Sequence, residues 1–367
     1  MTFSQIWTNA NVLDFGEALI FGNAKLKKIK FGIFLPATVH NYPFVVGDST
    51  QAARKLDFTF IQDDRDSLLP IVDYNCGYTV HGFDDDGNLR FVGNIYQVER
   101  DRAKSEVHCV AYDNCFVLNR SKSTKKFTDA LPEEIAAQMC REMGVLPGSI
   151  AKTGEKVSFI ANSKTGYQII LSAYTEAHKK NKKLYQVLMN ADKLDVIEKG
   201  TLIENFDLDS SKNMTDSIYR ESIEQLINQV QVVDDKGNGL EYVKDEESIQ
   251  KHSMFQVIYK QDPNKDTKKE AEALLTKPKR EGNVVALGNY DVVSSYSIKI
   301  KDFLFTGQFW IKSDTHTFKD GLHEMKLKLE FENVMTEEKA ETEKPKKESK
   351  SKNKSKRKRK SESEEKK

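Results

Sequence analysis

The segment GYTVHGFDDDGNLRFVGNIYQVERD, residues 77–101, has the pattern of a β-hairpin with two long arms. Two runs rich in apolar residues, Tyr78–Phe83 and Leu89–Val98, flank Asp84, Asp85, Asp86, Gly87 and Asn88, which tolerate or require the positive φ of a hairpin loop. The same cluster offers oxygen ligands at the first, third and fifth positions of a calcium loop. Its sixth position is Leu89 where the sharp turn needs Gly, and its twelfth is Ile95 where the ion needs Glu, so the loop is a turn and not a cation site. A hairpin this amphipathic needs sheet neighbours. Upstream, Leu56, Phe58 and Phe60 alternate with Asp57 and Thr59, the period of a strand with one wet face; downstream, Glu106–Tyr112 follows the polar turn Arg100–Ser105. Residues 1–119 therefore read as a small antiparallel sheet or barrel.

Beyond this meander the period changes. Ile135, Ala136, Met139, Cys140 and Met143 share one helical face; Pro132 and two glutamates open the helix, and Gly144 followed by Pro147 closes it. A second helix is predicted from near Thr165, whose spacing to Gln168 fits a capping box, with Tyr167, Ile170, Leu171 and Tyr174 inward. Leu184–Met189 and Leu194–Ile197 form a hairpin across residues 190–193, so residues 120–200 read as a small α/β unit. Strands then return over 201–335. Ile223–Val233 leads, Tyr296, Ile298 and Ile300 alternate with Ser297, Lys299 and Lys301, and Phe309–Ile311 follows. The clearest strand of the chain comes last, with Met325, Leu327, Leu329 and Phe331 inward and Lys326, Lys328 and Glu330 outward. A polar insertion near 234–282, with a short helix over Lys265–Leu275, interrupts this second β unit. The fold class expected is mainly β (α+β), with two tube-like antiparallel β-barrels and an inserted α/β domain.

Composition narrows the function. The chain has 367 residues, 38% hydrophobic and 31% charged, with a formal net charge of +1, a length that calls for two or three separately cored units. From Thr336 onward there are 14 Lys/Arg against 8 Asp/Glu and no aromatic or branched aliphatic residue. Residues 336–367 are therefore expected to be disordered and dispensable, with truncation after Val334 leaving the fold intact. Cys76, Cys109, Cys115 and Cys140 form no CxxC pair and read as small core residues in a reducing compartment. No secretory leader and no run of about 18 apolar residues is visible, so synthesis and folding in the cytoplasm are expected.

No HExxH, GxSxG, P-loop or GxGxxG motif occurs in the 367 residues. His316 and His323 flank the Lys319–Leu322 turn, which could bring two imidazoles together across a hairpin, but no third or fourth metal ligand accompanies them. His108 and Cys109 are neighbours on a strand and point to opposite faces, which excludes a thiol–base pair. Sequence thus nominates no catalytic residue, no metal ligand and no cofactor. The one concentrated chemical feature is the run Lys356, Arg357, Lys358, Arg359 and Lys360, a candidate contact for a polyanion backbone; without aromatics it could hardly read sequence.

Four stretches also carry a resemblance: AARKLDFTFI at Ala52–Ile61, the hairpin quoted above, VHCVAYDNCFVLNRS at Val107–Ser121, and GQFWIKSDTHTFKDGLHEMKLKLEF at Gly307–Phe331. In order and spacing, residues from about Gln51 to Val334 resemble the tail hub proteins of contractile phages and of PBSX-type prophages, relatives in fold of the hub region of type VI spike proteins. The resemblance implies two tube-like barrels per chain and a homotrimeric ring that continues a sixfold tail tube and seats a trimeric spike. It further implies contacts with other baseplate proteins, no membrane insertion, and a place in a virion or a headless bacteriocin-like particle. The basic tail departs from that pattern. Two other classes stand beside the hub: a tail-associated peptidoglycan hydrolase, and a polyanion- or nucleic-acid-binding protein acting through the tail.

Overall fold

The computed structural model describes residues 51–338, apart from 64, 66–71, 85, 264 and 320–321, together with the strands Ala24–Lys25, Lys28–Lys30 and Phe44–Asp48. The run Lys356–Lys360 and the tail from residue 339 lie outside the described residues. The fold is mainly β, with curled sheets.

Residues 77–101 do form the hairpin. Thr79–Phe83 pairs antiparallel with Leu89–Asp101, and Gly87, at φ +83°, supplies the left-handed residue of the turn. Asp84 is buried there, accepting hydrogen bonds from the Asn88 amide at 2.7 Å and from Arg90 Nε at 2.8 Å, so the loop carboxylate is already satisfied. Leu89–Asp101 pairs on its other side with Glu106–Asp113, and that strand with Gln51–Ile61. Leu56, Phe58 and Phe60 enter one core with Val80, Phe91, Ile95 and Cys109.

Among the described residues the α/β unit holds the largest core. Helices Pro132–Glu142 and Gly166–Asn181 lie over the sheet of Leu146–Ile150, Tyr185–Asn190 and Lys193–Glu198. The capping box at Thr165 and Gln168 is formed in both directions, at 3.2 and 3.0 Å. Met335 is buried in this same core, and the Tyr185 amide donates to its Sδ at 3.4 Å. Glu338 reaches Lys164 at 2.8 Å and its amide donates to Thr175 Oγ1 at 3.2 Å. The expected boundary of the ordered chain at 335/336 is therefore corrected: an apolar anchor and an ion pair hold it at least to Glu338.

In the second β unit, Met325, Leu327 and Leu329 point inward beside Ile298, Ile300 and Ile311. Three strands went unrecognised in the sequence, Leu202–Asp209, Met214–Ser222 and Lys279–Leu287, whereas the strand expected over Ile223–Val233 shrinks to Gln229–Val233. The first two are edges with mixed polar and apolar residues, so no period of two marks them, and the third begins in the charged stretch Lys279–Glu281, which reads as part of the polar insertion. Pairing is also not purely antiparallel: Leu202–Asp209 lies parallel to Ser297–Lys301, as Lys28–Lys30 does to Thr79–Phe83. Each such pair joins strands distant in sequence, which frees it from the tight turn that enforces antiparallel order. The polar excursion is a three-stranded sheet, Gly239–Lys244, Gln229–Val233 and Gln256–Lys260, on the helix Thr267–Glu272.

One twelve-stranded sheet runs through both β units. The first unit has the order Lys28–Lys30, Thr79–Phe83, Leu89–Asp101, Glu106–Asp113, Gln51–Ile61, Phe44–Asp48. The second has Leu202–Asp209, Ser297–Lys301, Thr306–Lys319, Leu322–Glu330, Lys279–Leu287, Met214–Ser222. Sequence order, spatial order and the position of the single parallel pair coincide, so the chain carries one topology twice.

Candidate functional site

The two copies meet at a strand seam. Phe44–Asp48 pairs on one side with Gln51–Ile61 of its own unit and on the other with Ser313–Thr317 of the second unit. Asp314, on the seam strand, is fully buried. Arg54 grips it with two guanidinium nitrogens, Nη1 to Oδ1 at 3.3 Å and Nη2 to Oδ2, while the Ser294 amide donates to Oδ1 at 2.6 Å. Burial alone would raise this carboxyl, but Arg54 and His316 prevail and hold it well below the usual carboxylate range. On the other side of Arg54 stands Asp113, also buried, which accepts from the Arg54 amide at 2.9 Å and the Cys115 amide at 3.0 Å. Here desolvation prevails and pushes the carboxyl up to about 7.

Beside the lock, the two histidines singled out in the sequence do meet: His316 Nδ1 lies 2.8 Å from His323 Nε2. His316 Nε2 faces the Val292 carbonyl at 2.9 Å. A carbonyl can only accept, so His316 Nε2 carries a proton and donates to it. Burial, then His316, pushes His323 down to about 3, and its ring stacks on Phe318 at 4.3 Å and tilts against Tyr290 at 4.6 Å. Among the described residues no group of three His, Cys, Asp or Glu could hold a metal ion. The pair is an aromatic, hydrogen-bonded element of the seam.

A cleft of about 740 Å³ opens at this junction, lined by Arg54, Arg90, Gln186, Asn190, Tyr290 and His316 among others. Polar groups gather in it, Ser294 and Ser295 among them. Burial pushes the Cys109 thiol up to about 12, Cys140 up to about 11 and Cys115 well above its usual value, which leaves them as inert thiols. Contrary to the sequence reading, Cys76 is exposed, in the turn before the first hairpin. His108 turns away from Cys109 and meets Asp57 at 2.6 Å, as the strand period requires. The Arg54–Asp314 lock escaped the sequence: 260 residues separate its members, and neither lies in a recognisable motif.

This mainly β fold is shared with prophage tail proteins. The chain superposes with a TM-score of 0.60 on the 43 kDa tail protein of prophage MuSo2 from Shewanella oneidensis, covering 79% of this chain and 93% of that one at 11% identity. On the tail protein of Neisseria meningitidis MC58 the score is 0.52, with 79% and 92% covered, again at 11% identity. The chain belongs to the YQBQ-like family, which it matches over residues 45–330. It is 25% identical over 240 residues to the phage-like element PBSX protein XkdQ of Bacillus subtilis (strain 168), covering 62% of this chain and 74% of that one. To YqbQ of the same organism it is 24% identical over 230 residues, 59% and 71%. The resemblance to PBSX-type tail proteins carried by the four quoted stretches is borne out.

Proposed function

We propose that this chain is the structural hub of a contractile-tail baseplate, a closed ring, most simply a homotrimer, that joins a sixfold tail tube to a trimeric spike. The observation that carries this reading is the doubled topology: three chains with two like β units each offer six similar faces upward while keeping threefold symmetry below. The tube protein, the spike and other baseplate proteins are its partners, and assembly takes place in the cytoplasm before incorporation into the particle. The chain divides for this purpose into a first barrel (1–119), an α/β domain (120–200), a second barrel with its insertion (201–335) and a basic tail.

The role is one of interfaces, not turnover. Buried polar groups at the junction are spent on one another: Arg54 and the Ser294 amide on Asp314, and His316 on His323 and the Val292 carbonyl. Imaging the assembled particle tests the proposal: three copies on the tail axis are expected, and a single copy or a peripheral position overturns it. A zymogram tests the alternative, since lysis of peptidoglycan that one Asp, Glu, Cys or Ser substitution abolishes would make the chain a hydrolase.

A further inference from the structure

The duplication can be followed residue by residue. In the first unit, Val45, Leu56, Ala111 and Ile95 lie in one cross-strand row; in the second, Tyr219, Gly282, Leu329 and Ile311 form the equivalent row. The next row matches again: Phe44, Asp57, Val110 and Gln97 against Ile218, Asn283, Lys328 and Ser313. Even the bulges coincide, between Ile95 and Gln97 in one long strand and between Ile311 and Ser313 in the other.

Past that bulge the two units differ. In the second, the far half of the long strand receives a strand of the first unit, pairing Ser313 with Asp48, Thr315 with Val46 and Thr317 with Phe44. In the first unit the equivalent edge, Gln97–Asp101, has no strand partner among the described residues, and neither has the outer edge of Ile218–Ser222, the equivalent of Phe44–Asp48. Gln97, Glu99 and Arg100 on one edge, and Ile218, Arg220 and Glu221 on the other, are exposed. Unpaired edges of this kind are normally blunted or covered.

We infer that these two edges pair with each other between copies of this chain, antiparallel, with Gln97 opposite Ser222, Val98 opposite Glu221, Glu99 opposite Arg220, Arg100 opposite Tyr219 and Asp101 opposite Ile218. The inference rests on the hub reading and gives its ring closure a register. Charge supports that register. Glu99 faces Arg220 directly, Asp101 lies diagonal to Arg220 on the same face, and Arg100 lies diagonal to Glu221 on the other. A slip by one residue sets Glu99 against Glu221 or Tyr219 and turns every side chain to the wrong face. The contact is head-to-tail, the kind that closes rings. The external seam lacks the internal lock: Arg280 stands where Arg54 stands, but Val98 replaces Asp314.

Cysteine trapping in the full-length chain tests this, with exposed Cys76 replaced by Ser. A Glu99→Cys chain is mixed with an Arg220→Cys chain under mild oxidation, and in parallel with a Glu221→Cys chain whose thiol would face the other way. Heterodimer yield at least about tenfold higher for the first mixture is expected. Equal or absent trapping in a sample that sedimentation shows to be oligomeric overturns the seam and leaves the hub reading standing. A chain that neither traps nor self-associates at any concentration overturns both. As a second measurement, Glu99→Arg and Arg220→Glu should each weaken self-association about fivefold, and the double reversal should restore it; failure of the double reversal to restore it overturns the register.

Discussion

Removing one partner of the Arg54–Asp314 lock should destabilise the fold by very different amounts depending on which partner goes. The Asp314 side chain is 0% exposed and that of Arg54 17% exposed. Arg54→Met leaves a fully buried carboxylate with only the Ser294 amide and His316 as partners, so a loss near the top of the range for broken buried pairs, about 4–5 kcal/mol, is expected. Asp314→Asn keeps the shape and leaves a guanidinium that can still reach water, which should cost about 2–3 kcal/mol. Replacing both, with Arg54→Met and Asp314→Leu, should recover most of the loss, because no charge is then buried alone. Urea unfolding of the four chains gives the cycle, and hydrogen exchange of the Phe44–Asp48 amides reports whether the seam opens first. The folded carboxyl titrates well below the usual range, so this stabilisation is complete above the unfolded value of ~4 and is lost only as pH falls toward the folded one. Equal costs for the two single substitutions, or a double variant as unstable as Arg54→Met, would refute the assignment of a buried, mutually compensating pair.

Three further outcomes follow from the same geometry. Asp113 holds its proton to about 7 in the fold against ~4 unfolded, so stability should fall as pH rises through that window, by roughly 3–4 kcal/mol at full extent, and Asp113→Asn should flatten the slope; an unchanged slope would assign it elsewhere. Truncation after Val334 should cost about 2–4 kcal/mol through loss of buried Met335, whereas truncation after Glu338 should be neutral in thermal melts; equal melting temperatures would show that the anchor carries no weight. Gly288→Ala should destabilise by more than about 1 kcal/mol, since a Cβ there would meet the His323 ring at 2.1 Å and the Gly288 amide already donates to the His323 carbonyl. A Gly288→Ala chain that melts like the parent would mean that the histidine pair is free to move.

Elements with a strong local period were legible. The hairpin at 77–101, the capping box at Thr165 and the inward row Met325, Leu327 and Leu329 all sit where pattern and turn chemistry agree. What escaped shares one property, dependence on contacts remote in sequence. Leu202–Asp209 and Met214–Ser222 are strands because of what they pair with, not because of their own alternation. Met335 looks like the start of a polar tail and is fixed by a core built from residues 115–196. At the junction, the histidine pair could be suspected because seven residues and a turn separate its members; Arg54 and Asp314 offered no such hint.

The internal seam and the external one proposed above differ in the way a building block requires. Within the chain, the seam is closed by a buried ion pair whose members are satisfied only when both units have folded. This interlock commits a single chain to one arrangement of its two units. At the outer edge the same positions hold Arg280 and Val98, and the pairing charges, Glu99, Arg100, Arg220 and Glu221, remain exposed. Val98 packs against the core of the first unit, so an acid in its place would be desolvated on the free chain, before Arg280 of a neighbouring copy could reach it; exposed charges keep the edge from pairing with strangers and still select one register. The chain also departs from its own symmetry at one place beside that edge. Where the first unit passes from Asp48 to Gln51, the second inserts the whole three-stranded excursion between Ser222 and Lys279. In the ring proposed above, an insertion at the end of the pairing strand would set the excursion beside each external seam and never at the internal one, an alternation of two kinds of joint that would preserve threefold identity within a nearly sixfold ring.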